Sequence, residues 1–196
     1  MVCFYNTLSK FLYKLGVNIM SHSAIAAGSQ FPSLLVKDLD GAEADLSKIS
    51  DQADWKMVVV YRGKHCPLCT KYLNLLETYK ERITANGVEI VAVSADSKEQ
   101  LEMHLADLEI SFPIYYGLSI EQMQALGLYL SNPRSEKETD HVFAEPGLFV
   151  INDKGQVQVI DISNGPLARP EIGILAGGLE FIKAPENDYP IRGTHS

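Results

Sequence analysis

Val58-Val59-Val60-Tyr61-Arg62-Gly63-Lys64-His65-Cys66-Pro67-Leu68-Cys69-Thr70-Lys71-Tyr72-Leu73 decides how the rest of the chain is read. A short apolar run rich in β-branched residues ends at a turn containing Gly63. Cys66 and Cys69 follow, three positions apart, and a helical apolar pattern starts on top of them. This is a strand delivering a dithiol to a helix N-terminus, where free backbone N–H groups and the macrodipole favour negative charge. The thiolate is the reactive form of cysteine. Residues i and i+3 of a first helical turn carry β-carbons roughly 5–6 Å apart. A disulfide needs about 3.5–4.5 Å, so a small adjustment would join the two sulfurs. Pro67 suits the first helical position, where its missing N–H costs nothing. An ordinary thiol with a pKa near 8.5 is only ~3% thiolate at pH 7, and lowering it to about 6.5 makes it ~75% thiolate. The helix terminus, Arg62, Lys64 and a protonated His65 all push that way. Together they would have to supply the roughly 2.7 kcal/mol that this change represents. Cys66, in the turn beside Lys64 and His65, is expected at an exposed position.

Two other readings compete for the dithiol. A structural zinc site needs four ligands, and here His22, His104, His141 and His195 are scattered with no second pair at ligand spacing. Two inert cysteines packed in the core are the other alternative. Bulk composition bears on the choice. The 196 residues fit one globular domain, alone or with an extension. A net charge of −8 argues against nucleic acid or an anionic membrane surface as partner. Three cysteines do not make a disulfide scaffold, so the vicinal pair reads as redox or metal chemistry in a reducing, cytoplasmic compartment. Nothing in the sequence points to a bound organic cofactor or a metal.

Outward from the dithiol, Met57 to Tyr61 reads as a buried central strand and Thr70 to Asn86 as a helix that Gly87 ends with a left-handed cap. Val88 to Ser94 is the next strand. Ser97 caps a helix carried by Leu101, Leu105 and Leu108. Phe112 to Tyr116 reads as a strand, and Ser119 caps a short helix through Met123 and Leu126. Asn132 to His141 reads as an exposed polar loop. Gly147–Ile151 and Val157–Ile162 flank Asn152-Asp153-Lys154-Gly155, a clear β-hairpin, and a final helix runs from about Glu171 to Lys183. Before the dithiol, Gly28 to Gly41 carries apolar residues up to an Asp-x-Asp-Gly turn, and Leu46 to Ile49 reads as a short helical turn. Residues 1–25 read as a poorly ordered or amphipathic leader, 26–192 as the domain and 193–196 as a tail; Met20 is a candidate true start. No stretch approaches the roughly 20 apolar residues of a membrane span. Strand–helix alternation closed by a hairpin and a terminal helix implies a mixed sheet with helices on both faces.

With strand, dithiol, helix and hairpin in place, the chain resembles the thioredoxin-fold superfamily. More narrowly, it resembles the alkyl hydroperoxide reductase/thiol-specific antioxidant branch, the peroxiredoxins and their Cys-x-x-Cys-bearing relatives. Gly28 to Gly41 is similar to that family's opening hairpin. Val60 to Gly63 with Cys66-Pro67-Leu68-Cys69 is similar to its active-site strand and loop, and Val93 to Ser97 to its next strand end. Pro146 to Gly155 is similar to the segment in which thioredoxins carry a cis-proline facing the dithiol, so a cis bond before Pro146 is expected. The peroxiredoxin motif Pro-x-x-x-Thr-x-x-Cys, laid without gaps, puts its attacking cysteine on Cys69, its Thr on Cys66 and its Pro on Arg62. The distant arginine of that family falls on Pro146. Arg62 and Arg169 are the candidate replacements for the lost arginine. The thioredoxin comparison makes Cys66 the attacker and Cys69 its resolving partner instead.

The expected fold is thus α/β and thioredoxin-like, a mixed central sheet flanked by helices with an N-terminal β-hairpin extension. The resemblance implies an antioxidant thiol peroxidase in which Cys66 and Cys69 are catalytic and Arg62, Lys64, His65 and Pro146 support them. Its expected partners are a peroxide or disulfide substrate, a thioredoxin- or glutathione-type reductant and, as an assembly, a homodimer. Dithiol–disulfide exchange on proteins without peroxidase activity is the second expectation, and a redox-sensing interaction module the third.

Overall fold

A computed structural model describes residues 25–195. The leader, the candidate start at Met20 and Cys3 lie outside the described residues. A small antiparallel hairpin, β1 (Leu35–Lys37) and β2 (Glu43–Asp45), precedes the body. The next strands are β3 (Trp55–Val60), β4 (Val88–Val93), β5 (Ile114–Tyr115), β6 (Leu130–Ser131), β7 (Phe143–Ala144), β8 (Gly147–Ile151) and β9 (Val157–Ile162). The central sheet has five strands in the order β5-β4-β3-β8-β9. β3 runs parallel to β4, with Val60 opposite Val93, and antiparallel to β8, with Val58 opposite Phe149. β6 and β7 pair separately. The expected mixed sheet is therefore present, and β3 lies at its centre.

β3 is buried on both faces, as its continuous apolar run requires. Met57, Val59 and Tyr61 enter one core with α1 (Pro67–Thr78), α2 (Lys80–Thr84), α3 (Lys98–His104) and, from the C-terminus, the helix Ile172–Lys183. Val58 and Val60 enter the other with the opening hairpin and α4 (Ile120–Ala125). The C-terminal helix is α5; Glu171 caps it by accepting from the N–H groups of Gly173 and Ile174. Ser97 and Ser119 form full capping boxes with Gln100 and Gln122.

Local expectations are corrected in five places. The helix after the dithiol starts at Pro67, not Thr70, and breaks at Tyr79 (φ −104°, ψ −1°), which turns the chain so that Ile83 is buried. Gly87 has the expected left-handed conformation (φ +70°), yet it lies beyond α2, and a β-carbon there would meet Asp54 Oδ1 at 2.4 Å. Leu46 to Ile49 is not helical: the Asp45 carboxylate accepts from Ser47 N–H and Oγ–H and holds a turn. The strand after Phe112 is only two residues, because Pro113 has no N–H for the ladder. No cis peptide occurs among the described residues, so Pro146 is trans. It stands at the entry to β8, where an absent N–H costs nothing, and its carbonyl accepts from Ser163 N–H at 3.0 Å.

Candidate active site

The sheet brings the C-terminal end of β3 beside that of β4, and the turn after β3 is anchored to its neighbour. The buried Asp96 carboxylate accepts from the Lys64 N–H at 2.8 Å. Gly63 passes over it at φ +129°, where a β-carbon would meet Asp96 Oδ1 at 2.3 Å; only glycine fits. Burial pushes the Asp96 pKa up, against the pull of the Lys64 N–H and His141. This anchor draws the dithiol turn inward. Cys66 is 2% exposed and Cys69 0%, so Cys66 is not at the exposed position the sequence suggested.

Cys66 is the N-cap of α1, and its Sγ accepts from the Cys69 N–H at 3.3 Å. Pro67 occupies the first turn as expected. The hydrogen bond from the Cys69 thiol, the Cys69 N–H and Arg62 together outweigh burial and bring Cys66 down to about 6. Burial, then donation to Cys66, pushes the Cys69 thiol up. One proton serves both sulfurs and rests on Cys69.

Two guanidinium groups act on the pair. Arg62 stacks 4.6 Å over the Phe143 ring and pairs with Glu145 (3.2 Å) and Glu138 (3.6 Å). Arg169 places Nη2 2.9 Å from Cys69 Sγ. Its Nε donates to the Pro166 carbonyl, and its guanidinium stacks 5.0 Å over Tyr72, whose hydroxyl donates to the Pro170 carbonyl. Pro146 lines a small cavity together with Tyr72, Gly147 and Arg169.

The remaining expected residues differ in role. Lys64 is exposed and contributes its main-chain N–H to the anchor. His65 packs 4.5 Å from Phe143, with both ring nitrogens buried and unpartnered. Burial and then Arg62 lower its pKa to about 4, so the ring is neutral at pH 7 and does not push Cys66 down as a cation. His104, one of the scattered histidines, is fully buried against α1, its Nε2 2.9 Å from Thr70 Oγ1. Its place on the apolar stripe of Leu101, Leu105 and Leu108 was the signal available for it. The segment 132–141 is not simply an exposed loop. Thr139 is buried, the Glu138 side chain is 8% exposed on Arg62, and His141 Nε2 sits 3.5 Å from Asp96. The segment closes one wall of a polar cleft of about 720 Å³ that Lys64, His65, Asp96 and Gln100 also line. Among the described residues no group of three or more His, Cys, Asp or Glu side chains is placed to hold a metal ion, and no helix is long and apolar enough to cross a membrane.

Comparison with known proteins agrees with this architecture. The family model described as AhpC/TSA matches residues 27–160. The thiol-disulfide oxidoreductase ResA of Halalkalibacterium halodurans is 25% identical over 118 residues, 59% of this chain and 65% of that protein, so the chain spans less than two thirds of that relative's length. A peroxiredoxin-like protein from Aquifex aeolicus superposes with a TM-score of 0.63 at 14% identity, over 80% of this chain and 87% of its own. Mycobacterium bovis AhpC gives 0.63 at 18% identity, over 88% of this chain and 99% of its own. The structural likenesses establish the thioredoxin-type fold, and the family match is the finer result: the chain belongs to the AhpC/TSA family.

Proposed function

We propose that this AhpC/TSA family member is a peroxiredoxin-like thiol oxidoreductase that reduces peroxides through Cys66 and Cys69. The observation that carries the reading is the Cys66 sulfur at the mouth of α1, where it caps the helix and accepts from the Cys69 N–H at 3.3 Å. With its pKa near 6 it is ~90% ionised at pH 7. The thiolate attacks the distal oxygen of a hydroperoxide; the O–O bond breaks, an alkoxide leaves and takes up a proton, and Cys66 becomes a sulfenic acid. Cys69 then joins Cys66 in a disulfide with loss of water, and an external thiol, of the thioredoxin or glutathione type, restores the pair. Arg62 supports the Cys66 thiolate, Lys64 and His65 stand at the cleft beside it, and Pro146 closes the wall next to Arg169. A sulfur only 2% exposed suits a small oxidant better than a bulky protein disulfide.

Dithiol–disulfide exchange is the second reading, favoured by the likeness to a protein named as a thiol-disulfide oxidoreductase. Peroxide consumption with a thiol donor separates the two. Wild type is expected to turn over, Cys66→Ser to lose at least about 100-fold, and Cys69→Ser to complete one turnover and stop as a sulfenic acid. Reduction of a test disulfide without peroxide consumption would replace the first reading by the second.

A further inference from the structure

We infer that Arg169 is a catalytic residue for the second half of the cycle: its guanidinium, in contact with Cys69 Sγ, stabilises the Cys69 thiolate as that sulfur closes the disulfide on Cys66. The inference rests on the dithiol reading above but holds for either substrate, since both end in the same ring closure.

The two arginines of the site are not equivalent. Arg62 sits between two nearly buried carboxylates, so much of its charge is already answered. Among the described residues Arg169 makes no ion pair with a carboxylate; its Nε is used by a carbonyl, its face lies on Tyr72, and its free edge meets Cys69 Sγ at 2.9 Å. A guanidinium fixed on an aromatic ring, with an N–H aimed at a fully buried sulfur, is preorganised for negative charge at that sulfur. Cys69 needs such help. Burial holds it as a thiol, and Arg169 is the largest influence acting in the opposite direction. On Cys66 the same guanidinium acts more weakly than the hydrogen bonds that sulfur accepts. When Cys66 becomes a sulfenic acid, it no longer carries the negative charge that keeps the proton on Cys69. The Cys69 proton then leaves, its sulfur attacks the Cys66 sulfur, the S–S bond forms, the S–O bond breaks, and hydroxide departs to combine with that proton as water. Arg169 remains protonated throughout. With a disulfide substrate, the same attack releases a thiolate instead of hydroxide.

The test uses the full chain and a chromogenic aromatic disulfide, DTNB, whose first thiolate release reports attack by one cysteine and whose second reports ring closure by the other. In Arg169→Gln the second release at pH 7 is expected to slow by about tenfold or more, with the first changed by less than about threefold. Arg169→Lys, which keeps the charge, is expected to recover most of the loss. The deficit is expected to persist from pH 7 to 9, because burial holds Cys69 as a thiol over that range. After one equivalent of hydrogen peroxide, dimedone-trapped Cys66 sulfenic acid is expected to accumulate in Arg169→Gln and not in wild type. A second release at the wild-type rate across this pH range overturns the inference, as does an equal loss in both releases. Should Arg169→Gln not fold, Arg169→Met, which removes the charge and keeps an unbranched side chain, is read in the same way. If wild type ignores peroxide yet the two releases behave as expected, the peroxidase reading fails and this one stands.

Discussion

Cys66 and Cys69 are the same residue on the same helical turn, with opposite chemistry. Both belong to the core that includes Leu73 and Leu76, but one caps the helix and receives an N–H, whereas burial holds the other as a thiol. Position on the helix, not residue type, sets which sulfur is a nucleophile. In our proposal this position favours Cys66 as the attacker; exposure does not choose, since Cys66 is 2% and Cys69 0% exposed.

The contrast breaks most directly under alkylation. With iodoacetamide at pH 7, Cys66 is expected to react at least about 100-fold faster than Cys69, and its rate to level off above an apparent pKa near 6. Peptide mapping by mass spectrometry reads this, and equal labelling would erase the distinction. Arg62→Gln sharpens it from the acid side. The Cys66 profile moves to higher pH, and leaving the nearly buried Glu145 without its guanidinium costs about 2–3 kcal/mol in urea unfolding.

The same asymmetry is expected in stability. An unfolded thiol titrates near 9.0 and Cys66 in the fold near 6, so between these values the native state holds fewer protons than the unfolded chain. The stabilisation from this group is therefore present above 9, and it fades as pH falls through 6. Melting curves of wild type and Cys66→Ser are expected to converge toward low pH, whereas a gap that widens there reverses the sign. Smallest is the control on the opposite face of the sheet: Ser119→Ala loses one capping box, about 1 kcal/mol, and leaves the alkylation contrast as it was.

What the sequence made legible was local. The β3–turn–α1 junction, the hairpin of β8 and β9 around Asn152, and the two serine caps each follow from residues within a few positions of one another. The pairings that complete the site do not. Asp96 reaches the dithiol turn because β4 lies parallel beside β3, and a buried carboxylate under a glycine has no periodic signature. Arg62 and Arg169 were both legible as spare cations, but only the path of the chain between β9 and α5 brings Arg169 against Cys69. The segment 132–141 reads as solvated because it is polar; Glu138 is drawn in by Arg62, which no local pattern announces. Similarly, the sequence names His65 as a group that would favour the thiolate if protonated, whereas burial keeps the ring neutral.

The contact between Arg169 and Cys69 spans 100 residues of chain. At a ribosomal pace of about 5–20 residues per second, the sulfurs emerge about 5–20 s before the side chain that completes their surroundings. A nascent polypeptide therefore carries both sulfurs as ordinary thiols, and the pair acquires its full surroundings only when the C-terminal third of the chain has been synthesised and has folded back onto it.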